Sequence, residues 1–131
     1  SAGALGRPAY RPTEAARHGA VDTAWFRHPG QIDFATLGVW LSAMLHFHGD
    51  KVLRTKGLID VGAPGPLVLN GVQHVMHRPE HLAAWPDEDR ESRIVFITRD
   101  LPARRIVAAL AAFLEADRKR VEDGVRQFDR A

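Results

Sequence analysis

Hydrophobic and polar positions alternate along this chain in blocks of changing period. From Ala20 to Arg27 the run Ala-Val-Asp-Thr-Ala-Trp-Phe-Arg is rich in β-branched and aromatic residues and stops at His28-Pro29-Gly30, which predicts a first strand ending in a turn. Phe34, Leu37, Leu41, Met44 and Leu45 then recur at three- and four-residue spacing to about His48, the stripe of an amphipathic helix, with Asp33 as N-cap and Gly49 closing it as a C′ residue. Lys51 to Val61 alternates around Gly57 and reads as a strand. The turn Gly62-Ala63-Pro64-Gly65-Pro66 separates it from an antiparallel neighbour over Leu67 to Met76. Pro79 to Arg90 is polar apart from Trp85 and predicts a short helical turn followed by a surface loop. In Arg93 to Thr98 the core Ile94-Val95-Phe96-Ile97 is apolar on both faces, which predicts a strand buried on both sides in the middle of the sheet. Asp100 as N-cap and Pro102 just inside open a last helix lined by Ile106, Val107, Leu110, Phe113 and Leu114, a stripe that thins through Val121, Val125 and Phe128.

The order β-α-β-β-loop-β-α predicts an α+β fold with a mostly antiparallel sheet, helices mainly on one face and a C-terminal helical extension. Residues 1–19 hold Gly3, Gly6, Pro8, Pro12 and Gly19 with few large apolar groups and read as a linker or arm. The domain proper is expected over 20–116, and 117–131 as a charged helical extension of it that docks, pairs with another chain, or frays. Composition adds limits. At 131 residues, 45% hydrophobic and 26% charged, this is the size and make-up of one soluble domain. A net charge of +2 without a dense basic tract gives no indication of a nucleic-acid partner. No apolar run approaches the roughly 20 residues that span a bilayer, so no membrane partner is expected and a cytoplasmic location is. The chain opens on Ser1-Ala2 with no initiator methionine, as the remnant of a cleaved longer polypeptide would, and a fragment of something larger is expected.

With no cysteine, thiolate zinc sites, iron–sulfur clusters, disulfides and cysteine nucleophiles are excluded. No G-x-x-x-x-G-K-[ST], G-x-G-x-x-G or G-x-S-x-G motif is present, so no catalytic residue and no cofactor-binding residue is assigned. With cysteine missing and methionine limited to Met44 and Met76, the imidazoles of the seven histidines are the soft metal ligands left. His74, His77 and His81 are the densest group and the candidate metal site. A strand would put His74 and Met76 on one face and His77 on the other, so a shared site needs a bend near Met76 to His77. The competing reading has these rings hydrogen-bonded to backbone or carboxylates. His46 and His48 complement the C-terminal dipole of their helix, while His18 and His28 are at most adventitious surface ligands. Arg54 and Lys56, two apart on a strand, share a face that could meet an acidic partner or phosphate, solvated strand charge being the commoner reading. Asp87, Glu88, Asp89 and Glu91 beside Arg90 and Arg93 lack the spacing of a calcium loop and read as a salt-bridged surface loop. Trp85 is expected to anchor that loop on the core, with Trp25 and Trp40 in core or half-buried roles.

Four segments taken together carry a family resemblance: Gly49-Asp50-Lys51-Val52-Leu53-Arg54-Thr55-Lys56-Gly57, Gly71-Val72-Gln73-His74-Val75-Met76-His77, Trp85-Pro86-Asp87, and Ser92 through Leu101. In order and spacing the stretch from about Gly19 to Glu115 resembles the C-terminal domain of the CobW family of metal-associated GTPases. The resemblance implies a domain that follows a P-loop GTPase domain in one polypeptide, in proteins associated with cobalamin biosynthesis and with cobalt or zinc trafficking. GTP, magnesium and the Cys-x-Cys-Cys metal motif would belong to that N-terminal domain, and none of those motifs occurs here. It further implies a non-catalytic accessory surface, with Arg54, Lys56, His74, His77 and Arg93 expected to face the GTPase domain or a client metalloprotein. Direct metal transfer through the histidine cluster is the alternative, and self-association into a homo-oligomer is left open.

Overall fold

A computed structural model describes residues 19–130; the arm expected over 1–19, and His18 with it, lies outside the described residues except for Gly19. The elements are β1 (Val21–His28), α1 (Phe34–His48), β2 (Val52–Ile59), β3 (Leu67–Val72), β4 (Val75–Met76), β5 (Glu80–His81), β6 (Ser92–Arg99) and α2 (Ala103–Arg130). They form an α+β fold with one antiparallel sheet in the order β1-β6-β2-β3-β4, and β5 also pairs with β3.

Strand period decides which side of the sheet is covered. In β6, Ser92, Ile94, Phe96 and Thr98 are buried while Arg93, Val95 and Ile97 are only half-buried. The buried set points to the helices, where Phe96 meets Trp40 of α1 edge to face with ring centroids 6.2 Å apart. Leu37, Leu41, Met44 and Leu45 of α1 and Ile106 and Leu110 of α2 share one core with Phe26, Val52, Ile59, Leu69, Ile94 and Phe96. β6 is central, as its apolar run predicts, but covered on one side only: both helices lie on the same face, so Val95 and Ile97 look out from the other. A register shift between Val52 and Arg54 keeps the pleat in step, with Val52 and Thr55 both buried.

Asp33 caps α1 as expected, its carboxylate accepting from the Thr36 hydroxyl at 2.7 Å. Four local expectations change. Gly49 follows α1 in right-handed conformation, φ −58°. Its missing side chain serves close approach instead, because a Cβ there would collide with Nδ1 of His74. The strand expected over Leu67 to Met76 breaks at Gln73-His74, where Gln73 takes φ 50° and β4 folds back on β3 with Val72 opposite Val75. In place of a helical turn after Pro79, β5 adds a two-residue bridge to β3, and the Leu82 N–H donates to the Pro66 carbonyl at 2.9 Å. Asp100 does not cap α2: it sits at φ 58°, and the first free N–H of the helix, on Ala103, is taken at 2.8 Å by the carboxylate of Asp22 in β1. α2 then runs unbroken for 28 residues, well past its last buried residue, Leu110.

Candidate functional site

Two surfaces stand out, one on each side of the sheet. The first is the uncovered face. Alternation in β1 sends Phe26 inward and Trp25 outward, where Trp25 is 57% exposed. Cross-strand pairing sets beside it Val95 of β6, then Lys56 of β2, then Asn70 of β3. Together Trp25, Lys56, Leu58, Val68, Arg93 and Val95 bound a shallow depression of about 310 Å³. Trp25 therefore has neither the core nor the half-buried place expected of it. The signal was available in the alternation, since Val21, Thr23, Trp25 and Arg27 form one period-2 set and Phe26 belongs to the other.

Of the five residues expected to form an interaction surface, Arg54, Lys56 and Arg93 share this face by register. Arg54 is half-buried and donates to the Asn70 side-chain oxygen at 3.0 Å. The Asn70 amide in turn lies 3.2 Å from Nδ1 of His77, which joins His77 to the same group. Nε of Arg54 is buried without a partner. Arg93 is committed locally. With its side chain only 13% exposed, it forms ion pairs with Asp87 at 3.2 Å and Asp89 at 3.0 Å, and its guanidinium stands over the Trp85 ring at 5.7 Å. Arg27, directly across from Arg93, pairs with Asp89 and with Glu91 at 3.3 Å. The acidic stretch is thus the salt-bridged loop its spacing predicts, and it neutralises two facing arginines. The Asp89 carboxyl is held below the usual carboxylate range, first by the Glu91 N–H it accepts and then by Arg27.

The second surface is a cleft of about 540 Å³ on the helix side, between α1 and the β3–β4 hairpin. Leu41, Leu45 and Leu69 form its floor, and His46, His74, His77 and Arg78 reach its lining. Gly38 and Arg78 were not singled out in the sequence. A glycine inside a helical pattern was the available signal for the first.

The histidines expected to share a metal are not assembled. The bend falls at Gln73-His74 rather than near His77, so His74 packs over Gly49, His77 faces Asn70, and His81 points its Nε2 at the Gly65 carbonyl, 3.0 Å away. Among the described residues no group of three His, Cys, Asp or Glu side chains could hold a metal ion, so those side chains do not fit a resident metal. Nor is any helix among them long and apolar enough to cross a membrane.

A one-sided α+β domain with a bare, partly apolar sheet face and no assembled metal-ligand group among the described residues is the class of protein this geometry defines. Residues 21–114 match the family model of the cobalamin synthesis protein cobW C-terminal domain, and the chain belongs to that family. Among solved structures it is similar to the Zn(II)-bound YjiA GTPase from E. coli, at 27% identity and a TM-score of 0.62 over 79% of this chain and 33% of that one. A Zn(II)-bound triple mutant of the YjiA GTPase aligns at 29% identity and a TM-score of 0.61, covering 71% of this chain and 29% of that one. The chain thus spans about a third of the length of the GTPases it matches. No curated protein matches it in sequence.

Proposed function

We propose that this chain is the non-catalytic accessory domain of a CobW-like GTPase, and that its uncovered sheet face packs on the P-loop GTPase domain of the same polypeptide. The observation that carries the reading is the exposed Trp25 set among Val95, Leu58 and Val68 and flanked by Lys56 and Arg54. A large amphipathic aromatic within a half-buried apolar patch, rimmed by cations, has the anatomy of an interface centre rather than of free surface. GTP, magnesium and a transition metal would then be bound by the GTPase domain. This face would transmit nucleotide or metal state to a client metalloprotein in cobalt or zinc trafficking or in cobalamin biosynthesis.

The reading has a genetic and a physical test. The coding sequence ahead of Ser1 is expected to encode a P-loop and a Cys-x-Cys-Cys motif. The 131-residue chain should bind that GTPase domain in trans, and Trp25→Asp should weaken the binding at least about tenfold, the usual loss at an aromatic hot spot, without changing the circular dichroism of the chain. Association that ignores Trp25→Asp, or a parent with no P-loop, would remove the basis of the proposal.

A further inference from the structure

The cleft on the opposite side of the sheet has a chemistry of its own, independent of the docking face. Its volume, about 540 Å³, is within the ordinary range for small-molecule sites. Its floor is aliphatic, from Leu41 and Leu45 of α1 and Leu69 of β3. The charged and imidazole groups that reach it are potential donors to an anion: Arg78, His46 and His74, the His77 ring being turned to Asn70 on the other face. Among the described residues no carboxylate lines it. Among the described residues Arg78, exposed at the mouth, has no carboxylate within ion-pair distance and no hydrogen-bond partner, unlike Arg27, Arg93 and Arg118, each of which pairs with two acidic side chains.

A second observation points into the same space. Gly38 lies inside α1 and lines the cleft, and a Cβ built on it would meet nothing within 4 Å. Glycine in a helix interior is less stable than alanine, and among the described residues no neighbour requires it. The wall is left open toward the cleft at the expense of the helix.

We propose that this cleft binds a small amphipathic anion: an organic acid whose apolar body lies against Gly38 and the leucine floor, with its carboxylate or equivalent head on Arg78 and the adjoining imidazoles. Burying the body supplies apolar contact, and the charge-assisted hydrogen bond to Arg78 supplies selection for the anion.

The test titrates the ¹⁵N-labelled 131-residue chain with octanoate, and separately with 1-octanol, octylammonium and inorganic phosphate, following backbone amide resonances. Octanoate is expected to shift Gly38, His74 and Arg78 saturably. The alcohol and the amine should each bind at least about tenfold more weakly, the ratio one charge-assisted hydrogen bond provides, and phosphate at least as much more weakly because it has no apolar body to bury. Arg78→Gln should weaken octanoate by a similar factor, and Gly38→Leu, which fills the cleft, should abolish binding. Because Arg78 is exposed, its variant folds even if Gly38→Leu does not. No saturable octanoate shift up to about 10 mM, where affinity falls below the millimolar class, would overturn the proposal. So would equal binding of octanol or phosphate, or indifference to Arg78→Gln. Neither variant alters the Trp25 face, so this site and the docking reading fail separately.

Discussion

At Arg93 one guanidinium serves an aromatic ring and two carboxylates at once, and the segment from Trp85 to Glu91 is fastened through it. Among the described residues Arg93→Ala would leave Asp89 with Arg27 alone, Asp87 with no ion-pair partner, and the Trp85 ring uncovered. The expected loss is about 1 kcal/mol, because the carboxylates left behind are well exposed and what goes is a surface ion-pair cluster and one cation–π contact. Urea unfolding would show it, together with a shifted Trp85 indole N–H resonance. Acid should reach the same contact from the other side. The Asp89 pKa is depressed in the folded chain, so its contribution is complete above the ordinary aspartate value near pH 4 and is lost as the pH falls below that through the lowered pKa. The Trp85 resonance should therefore hold constant from neutrality to about pH 4 and move only below it; movement centred near pH 6 would exclude Asp89 as the cause. Composition and spacing already made this loop legible as salt-bridged. They could not tell which of the three cations Arg54, Lys56 and Arg93 is committed to the loop until register sets Arg93 opposite Arg27.

Helices and long strands were readable because burial imposes a period, and α1, β1, β2, β6 and α2 all appear where that period predicts them. What escaped was held by contacts distant in sequence or by too few residues to show a period. β4 and β5 are two residues each. The hairpin at Gln73-His74 uses a left-handed glutamine where asparagine or glycine would have announced it. The start of α2 is the clearest case, since the acceptor for Ala103 lies 81 positions earlier, in Asp22. Asp22→Ala should accordingly cost about 1 kcal/mol, the typical value of a lost cap. Asp100→Gly should be neutral or stabilise by up to about 1 kcal/mol, because glycine relieves the left-handed backbone. Thermal unfolding of the two variants decides between the caps, and a larger loss at position 100 would restore Asp100 to that role.

For the molecule as a whole, the family match ends at residue 114 while α2 continues to Arg130, with Val121, Val125 and Phe128 exposed and Phe128 81% so. Ion pairs such as Arg118 with Glu115 and Glu122 hold this segment as helix without tying it to the sheet. Ending the chain after Ala116 should therefore leave the melting temperature within about 2 °C, since surface changes are usually worth under 0.5 kcal/mol. A collapse of the melt would mean that the segment supports the core. The order of strands also has a temporal consequence. Among the described residues β1 is the first strand and pairs only with β6, the last, with Val21 opposite Arg99. On a ribosome adding roughly 5–20 residues per second, β1 waits on the order of several seconds for its partner. During that interval its backbone edge and Trp25 are both open to solvent. A polypeptide in which an already folded domain emerges ahead of β1 could shield that edge through the wait, so the position of this module within its protein bears on how safely it is synthesised as well as on what it contacts afterwards.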